Sequence, residues 1–332
     1  MSYPKINFSI VMPIYNGASD LEKNLKLFVA SCNTKKFKNF FEFVITDNAS
    51  TDKTKEIVYK YKKILSKNNF IHINYFRRNT NIGYPKNLIS AIKNSKGKYI
   101  MPVCDDSLPG KSFYDDIFNF FKKNNIKGIG IVPVKSYESY KKKIFHINRL
   151  GYVFTRGSIL SGVILEKSKI SLKYIKSNLY VHNIIYINYY LKYGLSVINL
   201  KSKMKTDLSQ QPLIDKIDDR MRRKIDFGVL DKIETINIFY LKNKINFLQL
   251  LSVVMQIYMW SIETKWLLNK DGHKKISNAF FKKIFEYKNK KIIFFSFILI
   301  LIRSIFSKKF ILILNSLFIL IFDNKYKRIK KE

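Results

Sequence analysis

Two adjacent carboxylates, Asp105 and Asp106, close the apolar part of the stretch YIMPVCDDSLPG, residues 99 to 110. β-Favouring residues lead into them and Pro109-Gly110 follows, so the pattern predicts a strand that delivers charge to its own C-terminal end. In an open α/β sheet, ligands sit in the crevice beyond those strand ends. Neighbouring aspartates there suit a hard divalent cation, Mn²⁺ or Mg²⁺, which takes oxygen ligands and keeps positions for phosphate oxygens. The same dipeptide also suits a helix start, with Asp106 or Ser107 capping a helix from about Lys111.

The elements that would position the pair alternate regularly. Phe8 to Met12 is a compact apolar run closed by Pro13, followed by the polar loop Tyr15-Asn16-Gly17 and a helical pattern at Leu21, Leu25 and Phe28. Phe43 to Thr46 predicts a second strand ending at Asp47; Asn48 to Asp52 then supply N-cap residues for a helix with Ile57, Tyr61, Ile64 and Leu65 on one face. Ile73 to Phe76 predicts a third strand, followed by the loop Arg77, Arg78, Asn79, Asn81 and Gly83. Pro85 fits the first turn of the next helix, through Leu88 and Ile92, which Gly97 terminates. This β-α-β-α-β-α-β order predicts an α/β fold, a mainly parallel sheet with right-handed crossovers and helices on both faces. Tyr15, Asn16, Asp47, the Arg78 to Asn87 loop and the Asp105-Asp106 pair then share one sheet edge. Each has an ordinary structural use as turn or cap, but together they make that edge a candidate site.

The segments FSIVMPIYNG, FVITDNASTD, RNTNIGYPKN and GKYIMPVCDD, in this order within residues 8 to 110, resemble the nucleotide-diphospho-sugar transferases of glycosyltransferase family two, which share the Rossmann-like GT-A fold. The likeness is strongest to the abequosyltransferase-like enzymes of bacterial surface polysaccharides. It implies that Pro13, Tyr15 and Asn16 line the nucleotide site and that Asp47 accepts a hydrogen bond from the base. It further implies that the Asn81 to Asn87 loop, with Gly83 and Lys86, approaches the nucleotide and diphosphate. Asp105 and Asp106 match the family's acidic metal motif, where many members carry a third acid in place of Ser107.

A general base is also required, and in the family it is usually an acid at the start of a helix beyond the metal motif. Ser161 to Glu166 resembles the strand before that helix, and Tyr180 to Tyr193 leads to Gly194. Counting back from this glycine, His182 and Asn183 take the acidic positions. Histidine, with an unperturbed pKa of about 6.5, suits a base near neutral pH, while a neutral histidine packed among Tyr and Ile is the structural alternative. Glu138 and Asp207 are further candidates. The resemblance thus implies a nucleotide-diphospho-sugar donor, a saccharide or polyprenyl-linked saccharide acceptor, and inverting transfer in lipopolysaccharide, lipooligosaccharide or capsule synthesis.

Composition bounds the rest. The chain has 332 residues, with 61 Lys and Arg against 24 Asp and Glu, a formal charge of +37. The excess is diffuse and Lys-dominated, without Arg clusters or a zinc-finger or RNP pattern, so no specific nucleic-acid partner is expected. The alternative class is a basic membrane- or nucleic-acid-binding protein on an inactive scaffold, which would show steeply salt-dependent binding of polyanions. A nucleotidyltransferase is disfavoured because MPIYNGASD lacks the Arg and Lys of a phosphate loop. Cys32 and Cys104 form no metal-ligand spacing, and the N-terminal apolar run reads as a strand rather than a signal peptide. The expected organisation is a GT-A domain over 1–215, with its nucleotide half at about 1–110, a helical extension over 216–290, and membrane-associating helices over 291–332. In that tail, Ile292 to Ile302 and Phe310 to Phe322 are apolar runs of 11 and 13 residues beside Arg303, Lys308, Lys309 and KYKRIKK. Each is shorter than the ~20 residues of a bilayer-crossing helix. Interfacial or re-entrant helices on the anionic leaflet fit better, placing the protein on the cytoplasmic face of the inner membrane. A buried helical hairpin is the alternative.

Overall fold

A computed structural model describes residues 7–123 except 69 and 111, then 144–147, 160–173, 175, 181–198, 204–206 and single or short stretches of positions between 150 and 253. Glu138, Asp207 and both C-terminal apolar runs lie outside the described residues.

In chain order the elements are β1 (Phe8–Ile14), α1 (Ala18–Cys32), β2 (Phe41–Asp47), α2 (Thr54–Leu65), β3 (His72–Arg77), α3 (Tyr84–Asn94), β4 (Tyr99–Pro102), β5 (Ser107–Pro109), α4 (Phe113–Lys123), β6 (Ile144–Ile147), β7 (Leu165–Glu166), α5 (Val181–Tyr193), β8 (Leu195–Ile198) and β9 (Met204–Thr206). The main sheet runs β3-β2-β1-β4-β7. Its first four strands are parallel and β7 is antiparallel to β4. Two antiparallel pairs, β5 with β9 and β6 with β8, lie outside it.

Period-two alternation explains the layering. Phe8, Ile10, Met12 and Ile14 of β1 join one core with Leu21, Leu25 and Phe28 of α1, Val58 and Tyr61 of α2, and Phe113 and Ile117 of α4. Val11, Val44 and Ile100 alternate to the other face, and the buried Leu88, Ala91 and Ile92 belong to α3, which packs on β1 and β2. A parallel sheet must be covered on both faces, which is why β2 is buried along its whole length.

Several local expectations are corrected. β1 does not stop at Pro13 but runs to Ile14. Its pairing with β4 ends at Val11↔Pro102, so beyond that point a missing proline N–H removes no bond on the β4 side. The buried face of α2 is Thr54, Val58, Tyr61 and Leu65, whereas Ile64 is exposed. Helix α3 ends at Asn94, where the Ser95 N–H donates to the Ala91 carbonyl. Gly97 does not terminate it; an added Cβ there would lie 2.5 Å from Ser9 Oγ and 2.7 Å from Ser9 N, so this glycine allows close approach to β1.

The chain divides into two compact units, residues 1–147, 159–177 and 188–208, and residues 148–158, 178–187 and 209–332. Among the described residues the first holds all the sheets. The second contains the start of α5 and, among its described residues, a buried apolar set including Ile184, Ile236, Phe239 and Val253. Among the described residues no helix is long and apolar enough to cross a membrane.

Candidate active site

Beyond Pro102 the chain continues to Cys104, with the Val103 N–H donating to the Val11 carbonyl, and turns at Asp105-Asp106. The turn is anchored from two sides. The buried Asn24 of α1 donates from its amide to the Asp105 carbonyl at 2.7 Å. The Cys104 N–H donates to Ser161 Oγ at 2.8 Å, the Ser161 hydroxyl donates to Ser107 Oγ at 2.8 Å, and the Ser107 hydroxyl donates to Asp106 Oδ1 at 3.3 Å. Ser107 therefore supports Asp106 where an acid would have added a third charge.

No helix is capped by Asp106 or Ser107. Ser107 opens β5, paired with β9, and α4 starts only at Phe113. The partner strand comes from nearly a hundred residues downstream, where no local signal could reveal it. Asp105 has its carboxyl raised above the ordinary aspartate value, first by burial and then by the charge of Asp106. Two crowded carboxylates of this kind fit a divalent cation, whose charge would relieve both effects. Among the described residues no third His, Cys, Asp or Glu joins them in a metal-holding group, so phosphate oxygens or water would have to complete the coordination. The neighbouring Cys104 thiol is pushed up to about 12 by burial and then by Asp106, and is inert as a nucleophile.

From Asp105 a continuous rim runs along the strand ends. Gly17 lies directly against it, since a Cβ there would fall 2.2 Å from Asp105 Oδ2. The adjacent Asn16 N–H donates to Ser50 Oγ at 2.9 Å, and Asn16 Oδ1 accepts the Thr51 N–H at 2.8 Å. Two non-glycine residues here hold left-handed backbone, Asn16 at φ 52° and Ala49 at φ 65°. For alanine that conformation costs about 1–2 kcal/mol, strain of the sort that collects at functional loops. Asn48 then clamps the next loop: its amide donates to Asn81 Oδ1 at 2.6 Å, and its Oδ1 accepts the Ile82 N–H at 2.8 Å. Asn81 Oδ1 also accepts the Gly83 N–H at 2.9 Å, and Gly83, at φ 80°, opens α3.

Asp47 is fully buried. Its Oδ1 accepts the Ser50 N–H at 2.8 Å, and its Oδ2 takes the Tyr75 hydroxyl and lies 3.3 Å from Arg77 Nε. A carboxylate offers about four acceptor positions, and three are engaged here. Arg77 also donates to the Ser50 carbonyl at 2.9 Å, which braces the same loop. Asn87 faces the scaffold: its amide donates to the carbonyls of Thr46 at 2.7 Å and Ile14 at 3.4 Å, tying the ends of β1 and β2 to α3. Pro13 is half-buried on β1, Tyr15 is exposed, and Lys86 is exposed in the first turn of α3.

The structure thus brings Pro13, Tyr15, Asn16, Asp47, Asn81, Gly83, Lys86, Asn87, Asp105 and Asp106 to one edge of the first unit. Sequence reasoning missed the residues that fasten them, namely Asn24, Asn48, Tyr75, Arg77 and Ser161. Asn48 and Arg77 carried a signal, each lying beside a strand end, but not their partners. His182 belongs to the second unit, in the first turn of α5, where it is buried with its ring edge-on to Tyr186 at 5.9 Å. Gly194, at φ 73°, ends that helix as expected.

The chain is similar to several known glycosyltransferases. The poly(ribitol-phosphate) beta-glucosyltransferase of Bacillus spizizenii is 32% identical over 119 residues, 36% of this chain and 18% of that protein. The crystal structure of Staphylococcus aureus TarS 1-349 in complex with UDP-GlcNAc superposes with a TM-score of 0.51 at 16% identity, over 84% of this chain and 81% of that one. A Pyrobaculum calidifontis mannosyltransferase, PcManGT, in complex with GDP-Man and Mn²⁺, gives 0.53 at 11% identity, over 96% and 88%. At these identities the structural likeness is one of fold. The chain spans between 18% and 52% of the length of the curated relatives it matches. Residues 9–189, which carry the parallel sheet, the Asp47 and Asp105-Asp106 strand ends and most of α5, match glycosyl transferase family 2, and the chain belongs to that family of GT-A glycosyltransferases.

Proposed function

We propose that this chain transfers a sugar from a nucleotide-diphospho-sugar to a hydroxyl of a cell-surface polymer, with inversion at the anomeric carbon. The observation that carries the reading is the unbroken rim from Asp105 through Gly17, Asn16 and Asn48 to Asp47 and Gly83, at the edge where an open α/β sheet binds its ligand.

Each part of the donor has a partner in this arrangement. By the family resemblance Asp47 accepts an N–H of the base, which requires the Tyr75 or Arg77 side chain now held on its Oδ2 to move aside. The N-terminus of α3, with Lys86 beside it, faces negative charge favourably and suits the diphosphate. Asp105 and Asp106 would hold Mn²⁺ or Mg²⁺, which supplies Lewis-acid stabilisation of the charge that grows on the β-phosphate as the sugar leaves. For the acceptor hydroxyl we take His182 as the base, on its place at the family's position alone. His182→Ala should keep nucleotide binding and lower kcat by about 10²–10⁴-fold. Near-normal kcat in a pH–rate series would remove it from the mechanism.

For the acceptor, the named relatives act on poly(ribitol-phosphate), and a chain of charge +37 draws phosphodiester polymers and anionic surfaces alike. We place the enzyme on the cytoplasmic face of the inner membrane, held by its apolar, lysine-flanked C-terminal runs, acting on a teichoic-acid-like, lipopolysaccharide or capsule precursor.

The test is thermal stabilisation of the full chain by UDP, GDP, dTDP and CDP with and without Mn²⁺. One nucleotide should act only with the metal, and at a hundred times Kd it contributes about 2.7 kcal/mol. Transfer from the matching sugar nucleotide to poly(ribitol phosphate) and saccharide acceptors follows. Stabilisation by polyanions alone, and by no nucleotide, would favour the basic binding protein instead.

A further inference from the structure

The first unit sorts its charges along the strands. β1 to β4 all begin at one end of the sheet, where the helices between them finish and the antiparallel β7 ends. The candidate site occupies the other end, with Asp20, Asp47, Asp52, Asp105 and Asp106. Where the strands begin, exposed lysines stand instead: Lys38 before β2, Lys62 and Lys63 in the last turn of α2, Lys93 in the last turn of α3, and Lys96 and Lys98 before β4. None of these lysines forms an ion pair among the described residues. Glu42, Glu166 and Asp115 lie towards this end, but Glu42 is buried, Glu166 pairs with Lys169 at 2.6 Å and Asp115 pairs with Lys36. Nor is Lys93 needed to cap α3, because the carbonyls of Lys93 and Ser95 accept from the Lys167 ammonium. The rim is continuous. The N–H of Asn39 donates to the Phe70 carbonyl at 2.9 Å, Phe8 to Phe40 at 2.9 Å, Tyr99 to Asn7 at 2.9 Å and Lys167 to Lys98 at 2.8 Å, which joins the starts of β3, β2, β1 and β4 and the end of β7.

We infer that this amino-terminal rim of the sheet is a docking surface for the anionic headgroups of a lipid leaflet. Two features select a membrane over a linear polyanion. The charge covers an area: the rim spans β2, β1 and β4, about 10 Å at the usual strand spacing, and α2 and α3 add lysines on opposite faces of the sheet. A linear polymer is followed by a line or groove of charge, whereas a plane of charge matches a plane. The cations are also lysines, compact point charges on flexible stems, while Arg77 and Arg78 stand at the other end. Lysine suits diffuse attraction to many headgroups, and the arginine fork suits recognition of one phosphate. Docking through this rim does not depend on the transferase reading, and it adds to whatever hold the C-terminal runs provide. It also fixes an orientation. β1 and β2 are each 7 residues long, so the candidate site at their other ends faces away from the leaflet, about 23 Å along the strands. On the transferase reading, that distance admits a long acceptor polymer and not a sugar held close to its lipid.

The experiment uses the full chain with vesicles of phosphatidylcholine, with and without phosphatidylglycerol. Lys38→Gln, Lys96→Gln and Lys98→Gln together should lower partition onto the phosphatidylglycerol vesicles about 100-fold, at about fivefold for each lysine, and the loss should shrink as salt rises. The same three positions changed to Arg should bind as wild type does. Lys26→Gln, Lys53→Gln and Lys55→Gln remove equal charge from exposed positions off the rim and should change partition only a few-fold. A second readout reports orientation. A fluorophore on Lys98→Cys should be quenched by a quencher carried in the headgroups, and one on Lys55→Cys, at the start of α2, should not; burial pushes both native thiols up, so the label goes to the new cysteine. Equal losses from the two Gln sets, or equal quenching at positions 55 and 98, would overturn the inference. So would rim substitutions that weaken binding of poly(ribitol phosphate) and leave vesicle binding unchanged, since the rim would then serve a polymer.

Discussion

Gly17→Ala should abolish the coupling between nucleotide and Mn²⁺ as fully as Asp105→Ala does, while the ligand-free chain melts within a few degrees of wild type. The new Cβ would sit 2.2 Å from Asp105 Oδ2, well inside contact distance, so the carboxylate must leave its position. Asn24 holds the Asp105 backbone to α1, so the side chain is what moves. A misplacement of about 1 Å at a reacting group costs on the order of 10²-fold in turnover. The backbone itself tolerates the change. Gly17 has φ −115°, which any residue adopts, and alanine there restricts the unfolded chain. Ile14, whose side-chain atoms would lie 3.0 and 3.1 Å from the new Cβ, needs only a small shift. A double-mutant cycle isolates the cause. On an Asp105→Ala background Gly17→Ala should add no further loss, and an additive loss would mean that the glycine acts through something other than Asp105.

Glu42→Ala should do the reverse, removing about 3–5 kcal/mol of stability while the folded fraction keeps its nucleotide affinity. Glu42 is fully buried on β2 and its carboxylate gathers the strand starts. Oε1 accepts the Ser9 hydroxyl of β1 and the N–H groups of Lys96 and Gly97 before β4, and Oε2 accepts the Asn74 amide of β3 at 2.6 Å. Alanine takes this acceptor from the Ser9 hydroxyl, the Lys96 N–H and the Asn74 amide, each at about 1–3 kcal/mol where water cannot replace it, while the Gly97 N–H keeps Ser9 Oγ at 2.8 Å. The Lys167 ammonium, which burial weakens and the Glu42 charge supports, loses that support as well. Glu42→Gln should fall between, since its amide nitrogen cannot accept. Urea denaturation measures both. A loss below about 1 kcal/mol for Glu42→Ala would show that water takes over the orphaned donors. The two substitutions sit at opposite ends of the same strands, so one removes function and spares the fold while the other does the opposite.

That separation marks how far the sequence could be read. The alternation of strands and helices over residues 8 to 105 is local information, carried by apolar runs of period two, helical spacing and turn residues, and the parallel order follows from it. Asp47 and the Asp105-Asp106 pair were legible for the same reason: charged residues directly after apolar runs must emerge at strand ends. Ser107 shows where this stops. By its neighbours it could cap a helix or begin a strand, and only pairing with Thr206 decides for the strand. The fasteners of the site are equally non-local. Asn48 meets Asn81, Asn24 meets Asp105 and Ser161 meets Ser107, across 33, 81 and 54 residues respectively. Glu42 looked like one charged residue inside an apolar strand, and Gly97 like a helix terminator. Their partners, Ser9 and Asn74 for the first and the β1 backbone for the second, are set by strand register. The sequence by itself determined which elements form and which residues stand at their ends, because those depend on a few neighbouring side chains. Tertiary structure alone decided which polar groups meet, because a hydrogen bond is made over about 3 Å and no local pattern records which distant residue will come that close.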